Sequence, residues 1–283
     1  MSKLTIGEAL MQGIRLLKDN QIEPPRLTAE VLLMHALRKE RVFLFSHTGD
    51  DLPEVAWIHY GRYLHERIGG KPLQYITGKQ EFYTREFRVA PGVLIPRPET
   101  EHLVEFILNL PKPIGRIVDA GVGSGAICVT LAAELRQAVV GVDLADEPLR
   151  LTHENAKSHG ADVRLVKGNW LSAVRPGSVD LLVSNPPYIA ETDKPGLQRE
   201  VRDFEPELAL FAGLDGLDAY RVLARQAREV VKPGGRIVLE IGSTSARDYF
   251  ADWLDIEIQN DYSGRPCLLT AVRSQEASFT SAQ

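Results

Sequence analysis

Cysteine is almost missing from this chain, with only Cys128 and Cys267 in 283 residues. One lies in a predicted helix and the other in a predicted strand, so buried free thiols are expected rather than a disulfide framework. Histidine is sparse and badly spaced for metal. His59 and His65, like His153 and His159, have five residues between them, which matches no zinc-helix spacing. His65-Glu66 and His153-Glu154 also lack the second histidine of a metalloprotease helix, so no metal site is expected. No uncharged apolar run approaches the roughly 18 residues of a membrane span. An acid at Glu8 comes too early for the apolar region of a signal peptide, and a cytoplasmic location is expected.

Positive charge is also scarce. The net charge is −5, and residues 86–283 carry 21 basic against 28 acidic side chains. A duplex-binding face needs clustered cations to displace phosphate counterions, and no cluster is visible. A nucleic-acid substrate is therefore not expected. Residues 1–85 hold 12 basic and 10 acidic side chains, a near-neutral segment suited to touching a protein. Hydrophobic content of 44% and charged content of 25% are those of a globular protein, long enough for one large domain or two ordinary ones.

Against these absences stand four consecutive residues, Asn185-Pro186-Pro187-Tyr188. They follow Val179-Asp180-Leu181-Leu182-Val183-Ser184, which reads as a short buried strand ending in a turn. Two prolines lock such a turn, because each fixes its own φ and restrains the residue before it. An amide side chain, the first carbonyls of the turn and an aromatic ring are thereby fixed in space. That set suits a planar NH2 group, whose two hydrogens meet two acceptors while a ring covers its face. Taken alone, an ordinary Pro-Pro loop explains the residues equally well.

A glycine-rich loop precedes it. Arg116-Ile117-Val118-Asp119-Ala120 is strand-like, Gly121-Val122-Gly123-Ser124-Gly125 turns, and Ala126 to Leu135 reads as a helix. Glycines between a strand and a helix let the backbone approach a ligand beside a helix N-terminus. The next strand ends in Asp143, about 20 residues past the loop, where an acid accepts both hydroxyls of a ribose. Gly121, Gly123 and Ala126 equally satisfy the dinucleotide pattern G-x-G-x-x-A, so loop and acid indicate a nucleoside cofactor without choosing one. Ser124 in Gly-Ser-Gly is only superficially a nucleophile elbow, since no histidine or acid partner is evident. Arg221, Arg225 and Arg228 lie on one helical face and read as solvated.

The glycine loop and the amide-gripping turn together describe an S-adenosylmethionine (AdoMet)-dependent N-methyltransferase. Over nearly its whole length the chain resembles the protein-glutamine N5-methyltransferases called PrmC or HemK, which modify peptide chain release factors. The resemblance rests on Leu94-Ile95-Pro96-Arg97-Pro98-Glu99-Thr100-Glu101, the loop Asp119 to Gly125, Asn185 to Ile189, Phe204-Glu205-Pro206 and Asp215-Gly216-Leu217. Pro233-Gly234-Gly235 and Ser263-Gly264-Arg265 also fit. Asn-Pro-Pro-Tyr alone is shared with DNA-adenine methyltransferases; the Pro-Arg-Pro-Glu-Thr-Glu segment makes the match far more specific.

The resemblance implies AdoMet bound by Gly121, Val122, Gly123, Ser124, Gly125, Asp143, Trp170 and Asn185. It implies catalysis by Asn185, Pro186, Pro187 and Tyr188 on the Gly-Gly-Gln glutamine of release factors, with a monomer expected. Ala120 and Val122 stand where Leu and Thr are common, Leu144 replaces a small polar residue, and Asn169-Trp170 stands for Asp-Trp. Asparagine keeps a carbonyl acceptor for the adenine amino group without the charge. A glutamine methyltransferase of a ribosomal protein is the nearest alternative, and a nucleic-acid adenine N-methyltransferase a more distant one. A dinucleotide-dependent oxidoreductase or a non-catalytic adenosyl-binding module leaves Asn-Pro-Pro-Tyr without a purpose.

Three segments are expected. Residues 1–78 read as a helical substrate-recognition domain: Thr5 with Glu8 makes a capping box, and Ile6, Leu10, Ile14 and Leu17 recur at helical spacing. Ala29, Leu32, Leu33, Ala36 and Leu37 form a second apolar face. Val55, Ile58, Leu64 and Ile68 form a third, stopping at Gly69-Gly70. Residues 79–95 read as a hairpin linker. Residues 96–283 read as an α/β, Rossmann-like methyltransferase domain. Its strands are expected at 116–120, 138–143, 163–167, 179–184 and 236–241, with helices at 126–135, 147–159 and 217–231. The segments 255–259 and 267–272 are too close for a crossover helix, so an antiparallel last strand should close the sheet.

Overall fold

Thr5 and Glu8 close the expected capping box in a computed structural model that describes residues 4–261 and 263–275. The outermost residues of the first and last expected domains lie outside the described residues. Glu8 N–H donates to Thr5 Oγ1 at 3.2 Å, and Thr5 N–H to Glu8 Oε2 at 2.9 Å, at the start of α1 (Ile6–Asp19). α2 (Pro25–Leu37) begins on a proline that needs no N–H partner and buries Ala29, Leu32 and Leu33. α3 (Arg41–Ser46), α4 (Glu54–Ile68) and α5 (Leu73–Thr77) complete the set.

The expected apolar face of α4 is partly wrong. Val55 and Ile58 are 66% and 62% exposed, while Ala56, Tyr60, Leu64 and Arg67 face inward. The reason is Gly13 on α1: a Cβ there would lie 1.9 Å from the Tyr60 hydroxyl oxygen, so the bare glycine makes the slot that the tyrosine fills. Burying a large aromatic ring outweighs burying two smaller chains, and it rotates the helix accordingly.

A short helix, Arg199–Phe204, belongs to this helical unit although it lies far along the chain. Glu200 Oε2 sits 2.6 Å from Arg67 Nη2, whose Nη1 donates to Lys71 O at 3.1 Å. The described residues up to Lys79 with Gln198–Phe204 thus make one compact unit; Gln80–Leu197 and the described residues from Glu205 onward make the second.

The hairpin of β1 (Lys79–Phe82) and β2 (Arg85–Arg88) belongs, from Gln80 onward, to the second unit. Tyr83 and Thr84 both have positive φ, 48° and 60°, the backbone of a tight primed turn built without glycine or asparagine. Glu101 Oε1 accepts the Tyr83 N–H at 2.9 Å and helps hold it. The hairpin strands end at Arg88. Beyond them a loop and a single 3-10 turn, Pro98–Thr100, lead into α6 (Glu101–Leu108), a helix that the sequence reading did not place.

The sheet strands are β3 (Ile117–Ala120), β4 (Val139–Asp143), β5 (Val163–Lys167), β6 (Val179–Ser184), β7 (Val231–Glu240), β8 (Leu254–Asn260) and β9 (Pro266–Val272). Their order is β5-β4-β3-β6-β7-β9-β8. The β3–β4, β3–β6, β4–β5 and β6–β7 pairs are parallel; β9 runs antiparallel to both β7 and β8. Between strands come α7 (Ala126–Leu135), α8 (Asp146–Ser158) and the helix Asp218–Val230.

Ile117 packs in one apolar cluster with Val129, Leu131 and Val183, while its neighbour Val118 packs in another with Leu182, Tyr220, Leu223 and Ile237. Successive strand residues feed opposite faces, and both faces are covered, which is why β3 and β6 are nearly continuous apolar runs. Most strands fall within a residue or two of expectation. β7 starts earlier, at Val231, because its pairing with β6 continues on both sides of an irregularity spanning Lys232 to Gly235. Gly234 N–H donates to Arg273 O at 2.9 Å there, and Arg273 N–H to Gly235 O at 2.8 Å.

Candidate active site

The glycine loop sits where β3 delivers it, at the carboxyl end of the central strands. Gly121, Gly123 and Gly125 take φ values of 83°, 56° and 85°, the left-handed region in which a side chain is strained. The loop is anchored rather than loose. Gly121 N–H and Val122 N–H donate to Val142 O at 2.8 and 3.1 Å. From α8, the buried Thr152 donates to Gly123 O at 3.1 Å and the buried Asn155 to Ser124 O at 2.8 Å. Asn155 also grips β2, donating to Arg88 O and accepting from Arg88 N–H, so one amide ties the hairpin to the loop.

Asp143 ends β4 beside this loop. Its Oδ2 accepts the Gly123 N–H and its Oδ1 the Ala145 N–H, each at 3.1 Å. Burial raises its carboxyl above the ordinary aspartate range, against the lowering effect of those N–H groups. Each oxygen retains a second lone pair for a ribose hydroxyl. A cleft of about 220 Å³ opens here, lined by Gly121, Val122, Gly123, Ser124, Asp143, Leu144, Asn169, Trp170, Asn185 and Pro187 among others. A Cβ on Gly123 would meet open space, and one on Gly121 only the Trp170 ring at 3.5 Å. Bare backbone, an acid with free lone pairs and an indole beside them fit an adenosyl group.

The Asn-Pro-Pro-Tyr turn leaves β6 on the other side of the cleft. Ser184 fixes its root by donating to Ala120 O at 2.5 Å. Asn185 Nδ2 donates to Thr100 Oγ1 at 3.0 Å, and Thr100 Oγ1 donates to Glu240 Oε2 at 2.7 Å. Ile189 continues as a one-bridge strand: its N–H donates to Leu210 O, and its O accepts the Ala212 N–H, both at 3.0 Å. The Tyr188 ring lies over Gly242, where a Cβ would stand 2.4 Å from Cδ2. Gly216 (φ 74°) packs on the Tyr188 carbonyl, where a Cβ would come within 2.5 Å, which accounts for the glycine of Asp215-Gly216-Leu217. Two other quoted segments meet as well: Arg97 forms an ion pair with the buried Glu205, whose Oε2 accepts Ile95 N–H at 3.3 Å.

Two buried acids give the site its electrostatics. Desolvation pushes the Glu240 carboxyl up to about 7, aided by Glu99 and opposed by the Thr100 hydroxyl. Desolvation likewise pushes Asp119 up to about 8, opposed by hydrogen bonding from Cys128, whose N–H donates to Oδ2 at 3.1 Å. Asp119 Oδ1 is buried without a hydrogen-bond partner. The Tyr188 phenol is also raised, first by desolvation and then by Glu240, which its hydroxyl meets at 3.5 Å.

Of the expected site residues, Gly121 to Ser124, Asp143, Trp170, Asn185 and Pro187 line one cleft. Gly125 instead caps α7, Pro186 is buried, and Tyr188 stands beside the cleft with its hydroxyl turned in to Glu240. Nothing in the local sequence gives Thr100, Gly242, Thr152 or Asn155 a role at the site. Glu240 did leave a trace: a lone acid closing the apolar run Ile237-Val238-Leu239.

A parallel sheet with one antiparallel strand inserted near its edge, a glycine loop after its first strand and a ribose-type acid after its second define an AdoMet-dependent methyltransferase. The relatives agree. A family model for the PrmC N-terminal domain matches residues 8–78, and one for the methyltransferase small domain matches residues 99–200. The release factor glutamine methyltransferase of Koribacter versatilis is 41% identical over 270 residues, 93% of this chain and 96% of that protein. The protein of the same name from Moorella thermoacetica is 39% identical over 284 residues, 96% of this chain and all (100%) of that one. A crystal structure of a methyltransferase from Pyrococcus furiosus shares the fold, with a TM-score of 0.51 at 16% identity over 68% of this chain and 90% of that one. The chain belongs to the release factor glutamine methyltransferase family.

Proposed function

We propose that the chain transfers a methyl group from AdoMet to the side-chain amide nitrogen, N5, of the Gly-Gly-Gln glutamine in peptide chain release factors, acting in the cytoplasm as a monomer without a nucleic-acid substrate. The observation that carries this is the direction of the Asn185 amide. Its nitrogen is spent on Thr100, so Oδ1 is left as an acceptor at the cleft. An acceptor there suits an incoming NH2.

Bound in the cleft, AdoMet supplies an electrophilic sulfonium methyl. Asn185 Oδ1 and the Pro186 carbonyl accept the two N–H bonds of the substrate amide and orient its nitrogen. The Tyr188 ring holds the amide plane. An amide nitrogen is a poor nucleophile because its lone pair is delocalised, and it gains positive charge as it takes the methyl. Acceptors aimed at its hydrogens therefore stabilise the transition state more than the ground state. The N-methylated, protonated amide is a strong acid and loses its proton to water. Positioning supplies most of the rate. The helical unit formed by the described residues up to Lys79 and Gln198–Phe204 recognises the protein substrate.

Purified release factor and ribosomal protein, each incubated with the enzyme and labelled AdoMet and read by mass spectrometry, separate this reading from its nearest rival. Label on the ribosomal protein alone overturns the release-factor assignment. Asn185→Ala tests the grip: single-turnover transfer should fall about 10²–10³-fold, the usual cost of one lost stabilising hydrogen bond in such a site, with AdoMet affinity little changed.

A further inference from the structure

Glu240 is buried at the last residue of β7 and touches neither the glycine loop nor Asp143 through any hydrogen bond among the described residues. A charge so placed is costly unless it has work to do. Its carboxyl meets Thr100 Oγ1 at 2.7 Å and the Tyr188 hydroxyl at 3.5 Å, and the Asn185 side chain also reaches it. Thr100, itself buried, stands between Glu240 and Asn185.

A threonine hydroxyl has one proton to give. Committed to the carboxylate of Glu240, it meets Asn185 only as an acceptor, and Asn185 must turn its NH2 toward it. We infer that Glu240 is a positioning residue that, through Thr100 and by its own contact with the Asn185 side chain, sets which end of that amide faces the substrate. The inference rests on the amide-gripping reading above. An asparagine side chain is nearly symmetric in shape, so packing alone does not choose between its two orientations. With NH2 toward the substrate it would set donor against donor.

The relay is directional only while Glu240 is ionised. Once protonated, its carboxyl can donate to Thr100, whose own proton is then free to point at Asn185 Oδ1 and invert the amide. The groups around Glu240 are Glu99 from the 3-10 turn and, farther off beside Tyr188, Arg97 just before it; Tyr188 from the Asn-Pro-Pro-Tyr turn; Tyr220 from the helix Asp218–Val230; and Cys267 from β9. Tyr220 donates to the Glu240 backbone oxygen at 3.0 Å and so leaves the carboxylate itself to Thr100, Tyr188 and Asn185. The carboxyl titrates near 7, so methyl transfer should rise with pH through neutrality.

The test is single-turnover transfer from labelled AdoMet to intact release factor, at saturating concentrations of both, across pH 5.5 to 8.5. Asn185→Ala, Thr100→Val, Thr100→Ser and Glu240→Gln are compared with the unmodified chain, and AdoMet affinity is measured by calorimetry. Thr100→Val should lower the rate about tenfold to a hundredfold, as small misplacements at a reacting centre do, while Thr100→Ser restores it. Glu240→Gln should be slower and lose the rise near neutrality, with AdoMet affinity preserved in the Glu240 variant. If Asn185→Ala is inactive while Thr100→Val or Glu240→Gln keeps the unmodified rate and pH profile, the relay is wrong and the amide grip stands. If Asn185→Ala transfers at full rate, the grip itself is wrong and the relay falls with it.

Discussion

Adding one methyl group at Gly242 should slow the chemistry while sparing the cofactor. A Cβ there would stand 2.4 Å from Tyr188 Cδ2 and 3.0 Å from Cγ. Carbon atoms in ordinary contact sit about 3.5–4.0 Å apart, so Gly242→Ala forces the ring away by roughly 1 Å. Gly242 is absent from the positive-φ glycines, so alanine meets no backbone strain and the effect is confined to the ring. Overpacking of this kind typically costs about 1–3 kcal/mol of stability. A displacement of that size at a positioning group costs about 10²-fold in rate. Single-turnover methyl transfer to release factor should therefore fall by about that factor, with AdoMet affinity by calorimetry nearly unchanged. A folded Gly242→Ala protein that transfers within twofold of the unmodified rate would refute the role given to the Tyr188 ring.

Asp143→Ala should weaken AdoMet binding by about 1.5–3 kcal/mol, the value of hydrogen bonds to a charged group. Calorimetry on the folded variant showing unchanged affinity removes Asp143 from the ribose site. Asp119 gives a stability test. Its folded carboxyl titrates at about 8, so between the ordinary aspartate range and that pH the folded chain holds a proton that the unfolded chain has released. Stability is then lost as pH rises through that window, and Glu240 acts with the same sign over a narrower one. Asp119→Asn should make the fall in melting temperature from pH 5 to pH 8 shallower; equal slopes in both proteins contradict the buried-acid assignment.

The methyltransferase fold was legible because its elements announce themselves locally. β3 and β6 lie within a residue of where their apolar runs put them, and α7 spans the expected residues. β-strands buried on both faces need no partner to be recognised as such. The misses have physical causes too. α4 turned its other side inward because Gly13 opens a slot for Tyr60, a fact about a different helix. The short helix Arg199–Phe204 sits with the N-terminal helices through Arg67 and Glu200, and no composition break marks that excursion.

The site divides in the same way. The amino-acid sequence by itself determined the glycine loop, the acid that follows it and the proline-locked turn, because each is a contiguous stretch whose backbone is dictated by its own residues. Only the tertiary structure decided which way the Asn185 amide faces and where the Tyr188 ring rests. Those depend on Thr100 meeting Glu240 across 140 residues, Arg97 meeting Glu205 across 108, and Gly242 lying bare beneath a ring. Hydrogen-bond direction and close contact are properties of pairs, and chain closure over such distances is set by the packing of the whole sheet.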